Sequence, residues 1–304
     1  MNILFHENQL GVRGTSVAVY DYAHYNETLL GNTSYIATPA NSDLAALSKF
    51  KDRFGERVIL YNDFEELSNY QIDVAYFIKA GFNDGLLLPG VKNIVHCVFN
   101  PSDKHGEVYI AVSEWLGSKY GIDHLPHIVA LPDIKEDFRD FLGFSKDDIV
   151  FGRYGGYDQF DVPYLENVIM AAADRGFKFI FMNTKPFGVQ HKNIVYSEAS
   201  TDLNTKTAFI NTCDAMIHGR TEGESFGLAV AEFLHQNKPV ITNIECRDRN
   251  HIKTLGDKGF YYSNPNELYA ILSAFEKKDY NVKNLVDKFK PEVVMDKFKN
   301  FING

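Results

Sequence analysis

Two glutamates stand eight residues apart within Asp214–Thr242, D-A-M-I-H-G-R-T-E-G-E-S-F-G-L-A-V-A-E-F-L-H-Q-N-K-P-V-I-T. A carboxylate accepts hydrogen bonds from vicinal hydroxyls and balances developing positive charge, so Glu224 and Glu232 are the first candidates for chemistry. His218 and Arg220 precede them, and Ser225, Phe226, Gly227 and Leu228 lie between them. Phe226, Val230, Phe233 and Leu234 recur at helical spacing and predict a helix from Phe226 to His235, with Ser225 placed to be its N-cap. The free N–H groups and partial positive charge of that N-terminus favour an anion such as phosphate, and Gly227 lets a ligand approach the backbone. Such a constellation suits a ligand carrying both hydroxyls and phosphate. Read alone, the glutamate pair is also what a solvated helix face looks like.

The surrounding elements give the pair its context. Ala215–Ile217 and Pro239–Thr242 are short apolar runs of strand length, the second opened by a proline at a strand's first position. Upstream, strands are expected at 149–153, 177–183 and 193–196, and helices at 163–175 and 205–213. In the first half, Asn2–Phe5 reads as an opening strand, followed by a loop with Gly11 and Gly14 and a helix that Thr15 would cap. Those glycines suit either a tight turn or the close approach of a ligand. Further strands fall at 34–37, 57–60, 74–78, 93–98 and 108–112, with helical candidates at 42–54, 63–69 and 114–120. Strands alternating with helices give a parallel sheet covered on both faces. Pro132, the charged run 133–140, Gly143 and Asp147-Asp148 interrupt the pattern, which then restarts.

The spacing E-S-F-G-L-A-V-A-E followed by K-P-V closely resembles the E-x-F-G-x-x-x-x-E signature of retaining glycosyltransferases of the GT-B fold, the family 4-like group that includes sucrose synthase and bacterial mannosyltransferases. The resemblance implies an α/β chain of two Rossmann-like domains facing across a cleft. Residues 1–140 would bind the acceptor. Residues 141–304 would bind a nucleotide-diphosphate sugar, UDP- or GDP-linked, with the last helix free to pack back on the first domain. Glu232 would hold the ribose, and Glu224 the hydroxyls of the donor sugar. Ser225, Phe226, Gly227 and Leu228 would cradle sugar and phosphate, with Gly11, Gly14, His218 and Arg220 as further donor contacts.

Arg153, ending I-V-F-G-R, matches the family arginine that grips the donor diphosphate. A lysine usually follows it by about six residues; Tyr154–Asp161 holds none, and Lys185 is either a substitute or a surface lysine. His96, in I-V-H-C-V-F-N-P, corresponds to a histidine at a strand end that would face the donor sugar, although a histidine in an apolar run also suits the core. Ser113 would cap a helix containing Glu114. The chain has no D-x-D triplet, the mark of metal-dependent enzymes of the other main glycosyltransferase fold. No metal or other cofactor is therefore expected, with Arg153 and a helix terminus stabilising the leaving diphosphate. The rival readings are a nucleotide-sugar epimerase or phosphorylase of the same fold, and a catalytically degenerate nucleotide-sugar-binding protein.

Composition narrows the partners. The 304 residues carry a formal charge of −9. Residues 1–145 hold 11 basic against 19 acidic side chains and residues 146–304 hold 20 against 21, so the second half is the better host for a diphosphate. An acidic first half argues against nucleic acid and anionic lipid, leaving a glycan, protein or small-molecule acceptor. Three widely spaced cysteines predict buried thiols in a cytoplasmic protein, and no apolar run is long enough for a transmembrane helix or a signal peptide.

Overall fold

The computed structural model describes residues 1–304 and divides them into two compact units. The first, Met1–Ile128 with Lys288–Gly304, is built on β1 (Asn2–Glu7), β2 (Thr33–Pro39), β3 (Val58–Tyr61), β4 (Val74–Lys79), β5 (Lys92–Cys97) and β6 (Val108–Ala111). All pairings are parallel, in the order β3-β2-β1-β4-β5-β6. A sheet buried on both faces needs near-continuous apolar strands, and all six residues of β4 are buried. Helices α1 (Gly14–Thr28), α2 (Leu44–Phe54) and α3 (Glu114–Tyr120) connect the strands. The last helix, α10 (Pro291–Asn303), belongs to this unit, where Phe298 packs against Phe5, Tyr22 and Tyr76. Pro291 opens α10 at its first turn, where a missing N–H costs nothing.

The second unit, Val129–Asp287, is built on β7 (Val150–Tyr154), β8 (Lys178–Met182), β9 (Ile194–Ser197), β10 (Ala215–His218), β12 (Val240–Asn243) and β14 (Phe260–Tyr262). Their order is β14-β12-β10-β7-β8-β9, again all parallel. A separate two-stranded ribbon pairs β11 (Gly223–Glu224) with β13 (Asp248–Arg249). The helices are α4 (Arg139–Leu142), α5 (Leu165–Asp174), α6 (Leu203–Thr212), α7 (Leu228–His235), α8 (Asn250–Leu255) and α9 (Pro265–Ser273). Phe151, Phe179, Phe181, Ile217 and Ile241 form one side of its core, packed with Leu165, Ile169, Leu268 and Leu272.

The expected division at 140/141 falls instead at 128/129. The charged run that interrupts the strand–helix pattern is fastened to the second unit. Asn211 donates to the carbonyls of Ile134 and Glu136, the Phe138 N–H donates to Thr212 Oγ1, and Arg139 pairs with Asp214 at 2.8 Å. Thr15 is not a cap: α1 begins at Gly14 with Arg13 at the N-cap position, and the Thr15 hydroxyl donates to Glu7 instead. Ser113 does cap α3, accepting from the Leu116 N–H at 3.2 Å. The expected helix at 63–69 is a 3-10 segment, Phe64–Asn69, opened by an Asp63–Glu66 capping box.

Candidate active site

In an open parallel sheet the ligand crevice lies beyond the carboxyl ends of the strands, where the strand order reverses. In the second unit that point lies between β7 and β10, whose last residues are Tyr154 and His218. His218 thus ends a strand, one residue beyond the apolar run Ala215–Ile217. Apolar Ala215–Ile217 carries the chain to the sheet edge, and the next six residues bring Glu224 back towards it. His218 Nε2 lies 3.2 Å from Glu224 Oε1, and Arg220 Nη1 lies 3.2 Å from Glu224 Oε2. Arg220 also reaches Glu222 at 3.3 Å. Burial alone would raise the carboxyl's pKa, but the His218 hydrogen bond and the Arg220 charge prevail and hold Glu224 below the ordinary glutamate range. The side chain keeps 22% of its surface exposed, so an ionised carboxylate is presented to solvent.

The helix behind it starts later than expected. Phe226 is outside α7, and the N-cap is Gly227 at φ +87°, not Ser225. A Cβ at Gly227 would stand 3.2 Å from the Glu224 Cβ and 3.3 Å from the His251 Cβ, so both backbone conformation and crowding demand glycine. The Asn250 side chain donates to the Phe226 carbonyl at 2.7 Å and holds the turn from beneath. The N–H groups of Leu228 and its neighbours open α7 next to Glu224.

Glu232, two turns into α7, is 3% exposed and already partnered. Lys206 Nζ on α6 lies 2.7 Å from its Oε1, and the Tyr154 hydroxyl donates to its Oε2. Lys206 is a residue the sequence reading missed. It shares a helix face with Phe209, Ile210 and Cys213, at i, i+3, i+4 and i+7, and a lysine on an apolar stripe signals a buried partner.

Arg153 is 4% exposed at the end of β7. Its Nη2 donates to the Gly156 carbonyl at 2.8 Å and its Nη1 to Thr184 Oγ1 at 2.5 Å, tying the loops after β7 and β8 together. A Cβ at Gly155 would sit 2.9 Å from Nη2, so the glycine lets the guanidinium fold over its own loop. Burial lowers its pKa to about 10, which leaves it a cation at neutral pH. Lys185 is 71% exposed and 3.9 Å from Asp158, a surface lysine.

The three first-unit candidates also have definite surroundings. His96 is wholly buried in β5, hydrogen-bonded to the Tyr76 hydroxyl and edge-on to His127. Burial lowers its pKa to about 3, so it is a neutral core histidine. The Gly11 N–H donates to Ser16 Oγ at 2.9 Å, and a Cβ there would meet nothing within 4 Å. Gly14 begins α1. The sequence reading passed over Glu7, at the end of β1, where strand order reverses in the first sheet. It is 6% exposed, accepts from Thr15 and Ser16, and burial raises its pKa to about 7.

No group of three or more His, Cys, Asp or Glu side chains has metal-binding geometry, and no helix is long and apolar enough to cross a membrane. All three cysteines are free; Cys97 and Cys213 are buried, and Cys246 is half-buried.

No family model matches the chain, and no curated protein is similar enough to count as a relative. Solved structures are. Anabaena Alr3699/HepE, crystallised with UDP and glucose, superposes with a TM-score of 0.73 at 13% identity, covering 100% of both chains. A glycosyltransferase from Rickettsia africae gives 0.69 at 14%, covering 99% of this chain and 97% of its own. WaaG, a glycosyltransferase of lipopolysaccharide biosynthesis, gives 0.65 at 11%, covering 99% and 100%. With two six-stranded parallel sheets matched from end to end, the chain has the GT-B fold.

Proposed function

We propose that the chain is a retaining, metal-independent glycosyltransferase that moves a sugar from a UDP- or GDP-linked donor to a glycan, protein or small-molecule acceptor. The observation that carries this reading is the clamped Glu224 at the strand-order reversal of the second sheet, beside the N-terminus of α7. Held as an anion from both sides, Glu224 accepts hydrogen bonds from donor-sugar hydroxyls and stabilises the positive charge that builds on the sugar as the bond to diphosphate breaks. Arg153, Arg220 and the α7 N–H groups counter the charge on the departing diphosphate. Glu232 accepts from the ribose hydroxyls, which requires the ribose to share it with Lys206 and Tyr154. Gly11 leaves open space above the α1 loop for donor or acceptor atoms.

Glu232's existing partners favour a second reading, a nucleotide-sugar binder without turnover. The two readings separate in one experiment. The protein is incubated with UDP-glucose, the sugar nucleotide bound in another HepE crystal structure, and with GDP-linked sugars, with and without EDTA. Release of nucleoside diphosphate, unaffected by EDTA and with the anomeric configuration kept in the product, is the expected result. Binding by calorimetry without release establishes the silent binder, and strict dependence on a divalent cation overturns the metal-independent mechanism.

A further inference from the structure

Thr242 and His218 are register partners at the carboxyl edge of β12 and β10. Thr242 Oγ1 lies 2.8 Å from His218 Nδ1, and the other ring nitrogen faces Glu224 Oε1 at 3.2 Å. Thr242 is fully buried and His218 is 5% exposed. The Tyr262 hydroxyl donates to the His218 carbonyl at 2.8 Å and pins the strand end. A threonine, a histidine and a carboxylate therefore stand in a line, two of them fixed by the sheet.

The protons along this line are constrained. A carboxylate is only an acceptor, so a neutral imidazole holds it only when Nε2 carries the hydrogen. Nδ1 must then accept, and the Thr242 hydroxyl is its donor. The reverse tautomer would aim a ring lone pair at the carboxylate. The hydroxyl's other acceptor, the Asn243 carbonyl, lies at 3.5 Å, the far limit of a hydrogen bond. His251, tilted against His218 at 4.9 Å between ring centroids, does not intervene. Its ring nitrogens are buried without hydrogen-bond partners, and it stays neutral because burial lowers its pKa to about 3.

We propose that Thr242 is a positioning residue of the Glu224 site: its hydroxyl holds His218 as the Nε2–H tautomer, which donates to Glu224 and aims the carboxylate. The role of Glu224 rests on the glycosyl-transfer reading; the tautomer does not. The tautomer seen by the second ring nitrogen is set by the bond the first one makes, the same logic by which second-layer partners orient histidines elsewhere.

The test uses the full chain, Thr242→Val, which keeps shape and removes the hydroxyl, and Thr242→Ser, which keeps it. Long-range proton–nitrogen correlation spectra at pH 8 are expected to show His218 with Nε2 protonated and Nδ1 bare. In Thr242→Val that tautomer is mixed or reversed, and Thr242→Ser restores it. With UDP-glucose as donor, Thr242→Val is expected to lose about tenfold in kcat, the scale of one hydrogen bond, with KM little changed. A protonated Nδ1 in the wild type, or a Thr242→Val spectrum identical to it, overturns the proposal. Should UDP-glucose be neither bound nor turned over, the glycosyl-transfer reading with this donor falls, while the spectra still decide how His218 is held.

Discussion

Lys206 Nζ lies 2.7 Å from Glu232 Oε1, with the two side chains 8% and 4% exposed. The carboxylate proposed to hold the ribose is thus one half of a buried ion pair. Removing one partner strands the other's charge, so Glu232→Ala and Lys206→Met are each expected to cost about 3–5 kcal/mol in urea unfolding. Lys206→Met/Glu232→Gln, with both charges gone, should recover most of that loss. In this stable double variant UDP-glucose binding, followed by calorimetry, should weaken at least about tenfold, because a neutral amide replaces the carboxylate. Binding as tight as that of the wild type would remove Glu232 from the donor site.

Glu224→Gln keeps the shape of the clamped side chain and removes its charge. If the carboxylate stabilises the reacting sugar, single-turnover rates should fall by roughly 10²–10³ while UDP affinity stays within a few-fold. A variant that loses affinity and keeps its rate would make Glu224 a binding group only.

Glu7 makes the first unit's stability depend on pH. Its folded pKa is raised by burial from 4.5 to about 7. Below pH 4.5 both folded and unfolded chains hold the proton. Between 4.5 and 7 only the folded chain does, and above 7 neither does. This carboxyl therefore lowers folding stability as pH rises through that window, by about 3 kcal/mol in total. Glu7→Gln should gain on the wild type between urea unfolding at pH 4.5 and at pH 8. An equal difference at both values would contradict the raised pKa.

Gly227 sits at φ +87° with two Cβ atoms crowded around it. Gly227→Ala is expected to cost about 1–3 kcal/mol through backbone strain and to weaken UDP-glucose binding by displacing the first N–H groups of α7. Thermal unfolding and calorimetry measure the two effects separately. An unstrained, fully binding alanine variant would mean that the turn relaxes without cost.

Apolar strands were legible because a parallel sheet buried on both faces demands them, and β1, β4, β7 and β10 all lie on such runs. Helix starts were less so. Thr15 and Ser225 have the right side chains for caps, but Thr15 is engaged by Glu7, and Gly227's conformation moves the start of α7 past Ser225. The ribbon of Gly223–Glu224 with Asp248–Arg249 is two residues long and leaves no periodic signal. Nor did spacing indicate that His96 is enclosed by Tyr76 and His127, which depends on neighbours far along the chain.

By itself the sequence determined the alternation of strand and helix, the eight-residue spacing of Glu224 and Glu232, and the charge that leaves the second half nearly neutral. These are local or compositional properties, fixed by side-chain type and period. Only the tertiary structure decided what each carboxylate touches: His218 and Arg220 for Glu224, Lys206 and Tyr154 for Glu232, Thr15 and Ser16 for Glu7. Whether a carboxyl is held charged, paired or pushed towards neutrality depends on burial and on which partners the fold turns towards it, from the same loop, as Arg220 for Glu224, or from another helix, as Lys206 for Glu232.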